Sequence, residues 1–149
     1  MKKPMYVSRK VLNSEDIIAW AEAQAFPQIV SAKDMHVTLA FSREPVDFNE
    51  VVNRNDKITI NGGEREVKHL GPDAAVIKFS SKVLSKRWKE LCNIGCSWDY
   101  DGYQPHITIT YDGSKINVKD MTPYQGPIIL GPEIVSELDT EWIDKVKEK

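Results

Sequence analysis

Two short runs of this sequence carry the same pair of reactive side chains at the same spacing. His36 and Thr38 lie in Asp34-Met35-His36-Val37-Thr38-Leu39-Ala40-Phe41, and His106 and Thr108 lie in Gln104-Pro105-His106-Ile107-Thr108-Ile109-Thr110-Tyr111. An imidazole with an ordinary pKa of about 6.5 can accept or donate a proton near neutrality. Two of them around one phosphodiester can divide the work: one activates the attacking hydroxyl or water, and the other protonates the departing oxygen. Each role is worth roughly 10²–10⁴-fold in rate. Two threonine hydroxyls on the same side can donate hydrogen bonds to the non-bridging oxygens as charge develops there. No metal is required for this chemistry. The sequence also offers little to build a metal site, with three histidines in all, no His-Glu-x-x-His and no aspartates at ligand spacing.

The elements that must position these groups are strands. Both runs are rich in β-branched and apolar residues, and a strand sends alternate side chains to opposite faces. His and Thr therefore share one face, while Val37, Leu39 and Phe41, and likewise Ile107, Ile109 and Tyr111, are expected on the opposite, core face. Met5-Tyr6-Val7-Ser8 with Val11 reads as an opening strand. A helix is predicted from Asn13 or Ser14 until Pro27 halts the pattern, on Ile17, Ile18, Ala21 and Ala25 at helical spacing. After Phe41 the chain turns polar and Glu44-Pro45 is read as a break. Residues 57–60 and 64–70 are expected to form a hairpin about Asn61-Gly62-Gly63, and 75–79 a further strand after the turn Gly71-Pro72-Asp73.

A second helix is expected after Ser80 or Ser81. Its apolar stripe is Val83, Leu84, Trp88, Leu91 and Cys92, its outer face carries Arg87 among other bases, and Gly95 is its stop. Residues 127–130 and 134–138 are read as two strands joined by Gly131-Pro132. The order helix, loop, His-Thr strand thus occurs twice. It predicts an α+β domain over 1–149, made of two similar lobes related by an approximate two-fold, with the matched strands facing a shared cleft.

Composition narrows the function classes. The net charge of −2 over 149 residues excludes a globally basic nucleic-acid coat protein, although a small nucleotide remains compatible with local fields at a cleft. No apolar h-region follows the basic Met1-Lys2-Lys3-Pro4, and no run approaches a membrane span. Two cysteines, Cys92 and Cys96, are too few for a disulfide framework. A soluble, reduced, cytoplasmic monomer is expected, with no membrane partner and no long nucleic acid.

Paired His-x-Thr strands in a small α+β chain resemble the two-histidine (2H) phosphoesterase superfamily, and both motifs match without departure. The resemblance implies a bilobal, pseudo-symmetric fold, with two antiparallel sheets facing a central cleft and helices outside. It also implies metal-independent cleavage of cyclic phosphates or of 2′–5′ and 3′–5′ nucleotide linkages, with His36, Thr38, His106 and Thr108 as the catalytic set and no cofactor. More closely, the sequence is similar to the phage anti-CBASS protein 1 group, through Met5-Tyr6, His36-Val-Thr-Leu-Ala-Phe, Pro105-His-Ile-Thr-Ile-Thr-Tyr and the overall size. That similarity implies a cyclic di- or trinucleotide substrate such as 3′,3′-cGAMP, and evasion of bacterial CBASS immunity by a phage. If phage-encoded, the protein would act in the host cytoplasm. Which histidine is base and which is acid stays open at this level.

Nucleobases need flat, π-rich partners. Tyr6 and Trp142 are favoured as substrate contacts over Trp98 and Tyr103. Glu133 and Glu137, which alternate on one face of the last strand, could bind a base edge or orient a histidine. Lys33 and Arg43 flank the first motif and could attract phosphate. His69 has neither a threonine partner nor an echo and is expected to be structural or exposed. Two other functions fit the same residues: an RNA-end or 2′,3′-cyclic-nucleotide phosphodiesterase, and a protein that sequesters nucleotides without cutting them.

Overall fold

A computed structural model describes residues 2–100 and 102–138 of the chain. Two antiparallel sheets carry the fold. Strands β1 (Lys2–Val11), β2 (His36–Asp47), β3 (Ile58–Ile60) and β7 (Ile128–Glu137) form a four-stranded sheet in the order β2-β1-β7-β3. Strands β4 (Arg65–Leu70), β5 (Ala74–Phe79) and β6 (His106–Thr110) form a three-stranded sheet in the order β4-β5-β6. Each motif strand, β2 or β6, is thus the edge of its own sheet, and the two edges come into contact. One hydrophobic core, including Met5, Val7, Val37 and Leu39 from the first sheet and Val67, Ile77, Ile107 and Ile109 from the second, runs beneath both.

Helix α1 (Ser14–Ala23) buries Ile17 and Ala21. The Asn13 side chain ties its start to β7, accepting from the Ile129 amide at 3.0 Å and donating to the Pro127 carbonyl at 2.7 Å. Helix α2 (Lys82–Ile94) begins at Ser81, whose hydroxyl accepts from the Leu84 amide at 3.2 Å. It ends at Gly95, whose φ of 126° relieves the strain any side chain would meet there. Its buried stripe differs from the expected one. Leu84, Arg87 and Leu91 face inward, and Val83 is 58% exposed. Arg87 takes an apolar position because a buried carboxylate waits for it on β7.

Three connections also depart from the expectations. Asn61-Gly62-Gly63 does not close a hairpin, because β3 pairs with β7 while β4 pairs with β5, so this turn carries the chain from one sheet to the other. Strand β2 does not stop at Phe41. It runs to Asp47, and a register irregularity between the pairs Met5↔Ser42 and Lys3↔Val46 absorbs Pro45. Gly131-Pro132 likewise lies within a single strand β7. The shift from Arg9↔Glu133 to Val11↔Leu130 accommodates it, and Arg9 Nη1 donates to the Gly131 carbonyl at 2.8 Å. Gly71 (φ 71°) does turn β4 into β5, as expected.

Candidate active site

The two His-Thr strands match in more than residue type. Burial along His36–Ala40 and His106–Thr110 follows one pattern, with His and Thr half-buried and the intervening Val37 or Ile107 fully enclosed. Each strand also carries an extra residue immediately after the threonine. On β2 the pairing steps from Ser8↔Thr38 to Val7↔Ala40, skipping Leu39, and on β6 it steps from Val76↔Thr108 to Ala75↔Thr110, skipping Ile109. An extra residue in one strand bends it and leaves ladder groups unpaired. The Tyr103 hydroxyl, from the loop before β6, donates to the Thr38 carbonyl at 2.7 Å at this bulge and so ties the second motif's approach to the first motif.

The bulges overturn one expectation on both strands. By plain alternation Phe41 and Tyr111 belong to the core. After a bulge the alternation slips by one, so Phe41 sits opposite Tyr6, edge-on to it with ring centres 6.1 Å apart. Tyr111, just beyond β6, is 59% exposed and lines the cleft.

The imidazoles are held alike. His36 Nδ1–H donates to the Asp34 carbonyl at 2.7 Å and His106 Nδ1–H to the Gln104 carbonyl at 2.9 Å. A carbonyl only accepts, so the proton on each Nδ1 is fixed and each Nε2 is left for chemistry. His36 Nε2 lies 2.9 Å from the Tyr6 hydroxyl, which lies 2.9 Å from Thr38 Oγ1. That hydroxyl can donate to a neutral His36 while accepting from Thr38, or accept from a protonated His36 while donating to Thr38. Burial, with the nearby His36 charge adding to it, pushes the His106 pKa below the usual imidazole value against the opposing Gln104 hydrogen bond. Burial also raises the Tyr6 pKa, and keeps its hydroxyl protonated.

A cleft of about 740 Å³ opens beside these groups. Tyr6, Ser8, Lys10 and His36 line it from the first sheet, with Lys33 and Asp34 from the turn before β2 and Tyr111 and Asp112 from the far side. His106 and Thr108 are not part of its lining. Lys10 pairs directly with His36 across β1 and β2, and residues so paired share a face. It is a cleft cation that sequence reading missed, because only the strand register reveals it. Lys33 does reach the cleft, whereas Arg43 is engaged with Asp99 at 2.9 Å.

The two glutamates do share a face of β7, but it is the wrong one for the cleft. Glu133 pairs with Arg9 and Glu137 with Met5, on the side that faces the core, while Ser136 and Ile134 pair with Tyr6 and Ser8. The Glu133 side chain is 0% exposed and grips Arg87 through two hydrogen bonds of 2.8 and 3.0 Å, with Arg9 at 3.9 Å. It is a buried structural carboxylate and not a base contact. Glu137 is exposed and lies 3.7 Å from Lys3. Trp142 falls outside the described residues. Trp98 and Tyr103 pack with Trp88, whose ring is stacked on Tyr103 at 5.6 Å, and are not free to stack on a base. His69 donates to the Gly113 carbonyl at 2.9 Å, a structural role as expected. Among the described residues no group of three His, Cys, Asp or Glu gathers closely enough to hold a metal ion, and no helix is long and apolar enough to cross a membrane.

The chain is similar to known proteins in sequence and in fold. The family model described as "Anti-CBASS protein Acb1" matches residues 3–145. Anti-CBASS proteins Acb1 from Caulobacter sp. (strain RHG1) and Sphingomonas paeninsulae are each 38% identical over 98% and 94% of this chain, which spans about a quarter (24%) of their length. The Acb1 of Vibrio phage KVP40 is 32% identical over 72% of this chain and 68% of its own. Among solved structures, a phosphoesterase superposes with a TM-score of 0.64 at 18% identity, covering 91% of this chain and 87% of that one. E. coli LigT complexed with 3′-AMP gives 0.58 at 17% identity, with the same coverage. The fold is therefore the bilobal α+β fold of the two-histidine phosphoesterases, as the paired motifs led one to expect.

Proposed function

This chain belongs to the anti-CBASS protein Acb1 family, and we propose that it is a phosphodiesterase that opens 3′–5′ bonds of cyclic di- and trinucleotide immune signals, so that a phage evades CBASS defence. One observation carries the reading. Two imidazoles, fixed identically through Nδ1 on matched bulged strands, leave both Nε2 atoms for proton transfer, each beside a threonine hydroxyl on the same strand face.

The roles follow from the surroundings. His106, its pKa lowered chiefly by burial, is neutral near pH 7 and takes the proton from the ribose 2′-hydroxyl. The 2′-oxygen attacks phosphorus, the bond from phosphorus to O5′ breaks, and a 2′,3′-cyclic phosphate forms. His36 gives its Nε2 proton to the departing O5′. The Tyr6 hydroxyl, which can accept from Nε2–H while donating to Thr38, holds the ring until the substrate O5′ replaces it as the acceptor of that proton. Water then opens the cyclic phosphate with the two roles exchanged. Thr38 and Thr108 hydroxyls hold the non-bridging oxygens, and Lys10 and Lys33 attract the phosphates into the cleft.

Mass spectrometry of 3′,3′-cGAMP incubated with pure protein in EDTA tests this. Linear product supports the reading. Intact 3′,3′-cGAMP, together with rapid opening of a linear RNA ending in a 2′,3′-cyclic phosphate, would move the substrate to RNA ends. The likeness to LigT, solved with 3′-AMP, favours that second reading. Tight binding of 3′,3′-cGAMP without turnover would make the protein a nucleotide sponge.

A further inference from the structure

Among the described residues six large apolar or aromatic side chains are strongly exposed, and Tyr111 and Ile134 alone among them line the cleft, at 59% and 52% exposure. Tyr111 is held there by the bulge on β6. Its phenol lies near enough to Tyr6 to add to the rise that burial gives the Tyr6 pKa. Its ring lines the same cleft as Tyr6 and His36, and its hydroxyl makes no hydrogen bond among the described residues.

Beside Tyr111 stands Gln28. The segment after α1 adds itself to the edge of β6 through an antiparallel bridge between Ile29 and Thr110 and a Val30 amide to Ile109 carbonyl bond of 2.8 Å. In antiparallel pairing the next residues outward, Gln28 and Tyr111, come opposite each other. Both line the cleft. Gln28 holds φ at 45°, in the left-handed region where a glycine would sit without strain. A long carboxamide is carried at that position instead, exposed and without a hydrogen-bond partner among the described residues.

We propose that Tyr111 and Gln28 form a nucleobase subsite, in which the Tyr111 ring stacks on one base of the substrate and the Gln28 carboxamide hydrogen-bonds to that base's edge. The subsite rests on the reading of this chain as a nucleotide phosphodiesterase. Stacking on an aromatic face is indifferent to base identity, whereas a carboxamide is selective. Its adjacent donor and acceptor match adenine N7 and N6. The pair therefore accepts any base and prefers adenine. Ile134 supplies an apolar wall in the same cleft.

Equilibrium binding of non-hydrolysable bisphosphorothioate analogues of 3′,3′-cGAMP and cyclic di-GMP to the full chain tests the subsite apart from turnover. Tyr111→Ala weakens binding of both by about 5- to 150-fold, the ratio that one base stack is worth, and Tyr111→Phe stays within about twofold of wild type. Gln28→Gly, which keeps the backbone relaxed, weakens the 3′,3′-cGAMP analogue more than the cyclic di-GMP analogue. Unchanged binding in Tyr111→Ala overturns the subsite and leaves the phosphodiesterase standing. Equal losses in Tyr111→Phe and Tyr111→Ala overturn the stacking role. Wild type that neither binds the analogues nor cleaves 3′,3′-cGAMP overturns the phosphodiesterase reading, and the subsite with it.

Discussion

His36 and His106 each donate Nδ1–H to the main-chain carbonyl two residues earlier, at 2.7 and 2.9 Å. The two imidazoles are thus fixed by backbone rather than by a carboxylate, and neither orientation depends on the charge of a partner. Under the proposed mechanism, replacing either ring removes a proton-transfer group and leaves the main-chain framework in place. His36→Ala and His106→Ala should each lower kcat by about 10²–10⁴-fold while circular dichroism and Tm stay near wild type. Loss of the fold in both variants would count against a purely chemical role.

The Tyr6 hydroxyl, 2.9 Å from both His36 Nε2 and Thr38 Oγ1, is a positioning contact that either ionisation state of His36 can use. Tyr6→Phe keeps the ring and its edge contact with Phe41 but removes that contact. A hydrogen bond of this kind contributes about 0.5–1.5 kcal/mol, so kcat should fall several-fold with KM little changed. Steady-state kinetics with 3′,3′-cGAMP reads the split, and an effect confined to KM would place Tyr6 in binding alone.

Glu133 is held wholly inside, between Arg87 and Arg9. Removing one partner of a buried charge pair leaves the other uncompensated and costs about 3–5 kcal/mol. Glu133→Ala should therefore lower the free energy of unfolding by that order in urea titrations, while the activity of the folded fraction is preserved. A variant of normal stability and lost activity would return Glu133 to the substrate.

Burial depresses the His106 pKa in the folded protein, so between that value and the unfolded value of about 6.5 the unfolded chain binds more protons. Stability from this residue is complete above the unfolded pKa and is lost as pH falls through the folded one. The Tm of wild type should drop on acidification below about pH 6.5, and His106→Gln should flatten that limb. Scanning calorimetry across this range measures both.

Much of this was legible in the residues. The repeated His-x-Thr spacing, the alternating faces before each threonine and the helix caps at Ser81 and Gly95 are local signals, and they lead to the two matched strands and the second helix. What local pattern hides is register. Plain alternation misplaces Phe41 and Tyr111 because the bulges at Leu39 and Ile109 shift the faces, and a bulge leaves no mark on the hydrophobic alternation. Glu133 looked like a cleft carboxylate because its face is set by pairing with Arg9, far away in sequence. Arg87 looked solvated for the same reason. Asn61-Gly62-Gly63 is a sound turn signal, yet only the pairing of β3 with β7 says that it joins two sheets. Gln28 gave no sign at all, since its place in the cleft depends on one bridge from Ile29 to Thr110.

In the proposed mechanism His106 and His36 act as base and acid on one phosphodiester. The dependence of kcat/KM on pH for 3′,3′-cGAMP cleavage tests it most directly. A bell is expected, its acid limb lying below the ordinary imidazole range because His106 must be neutral. A profile that rises or falls monotonically through the imidazole range would contradict the pairing.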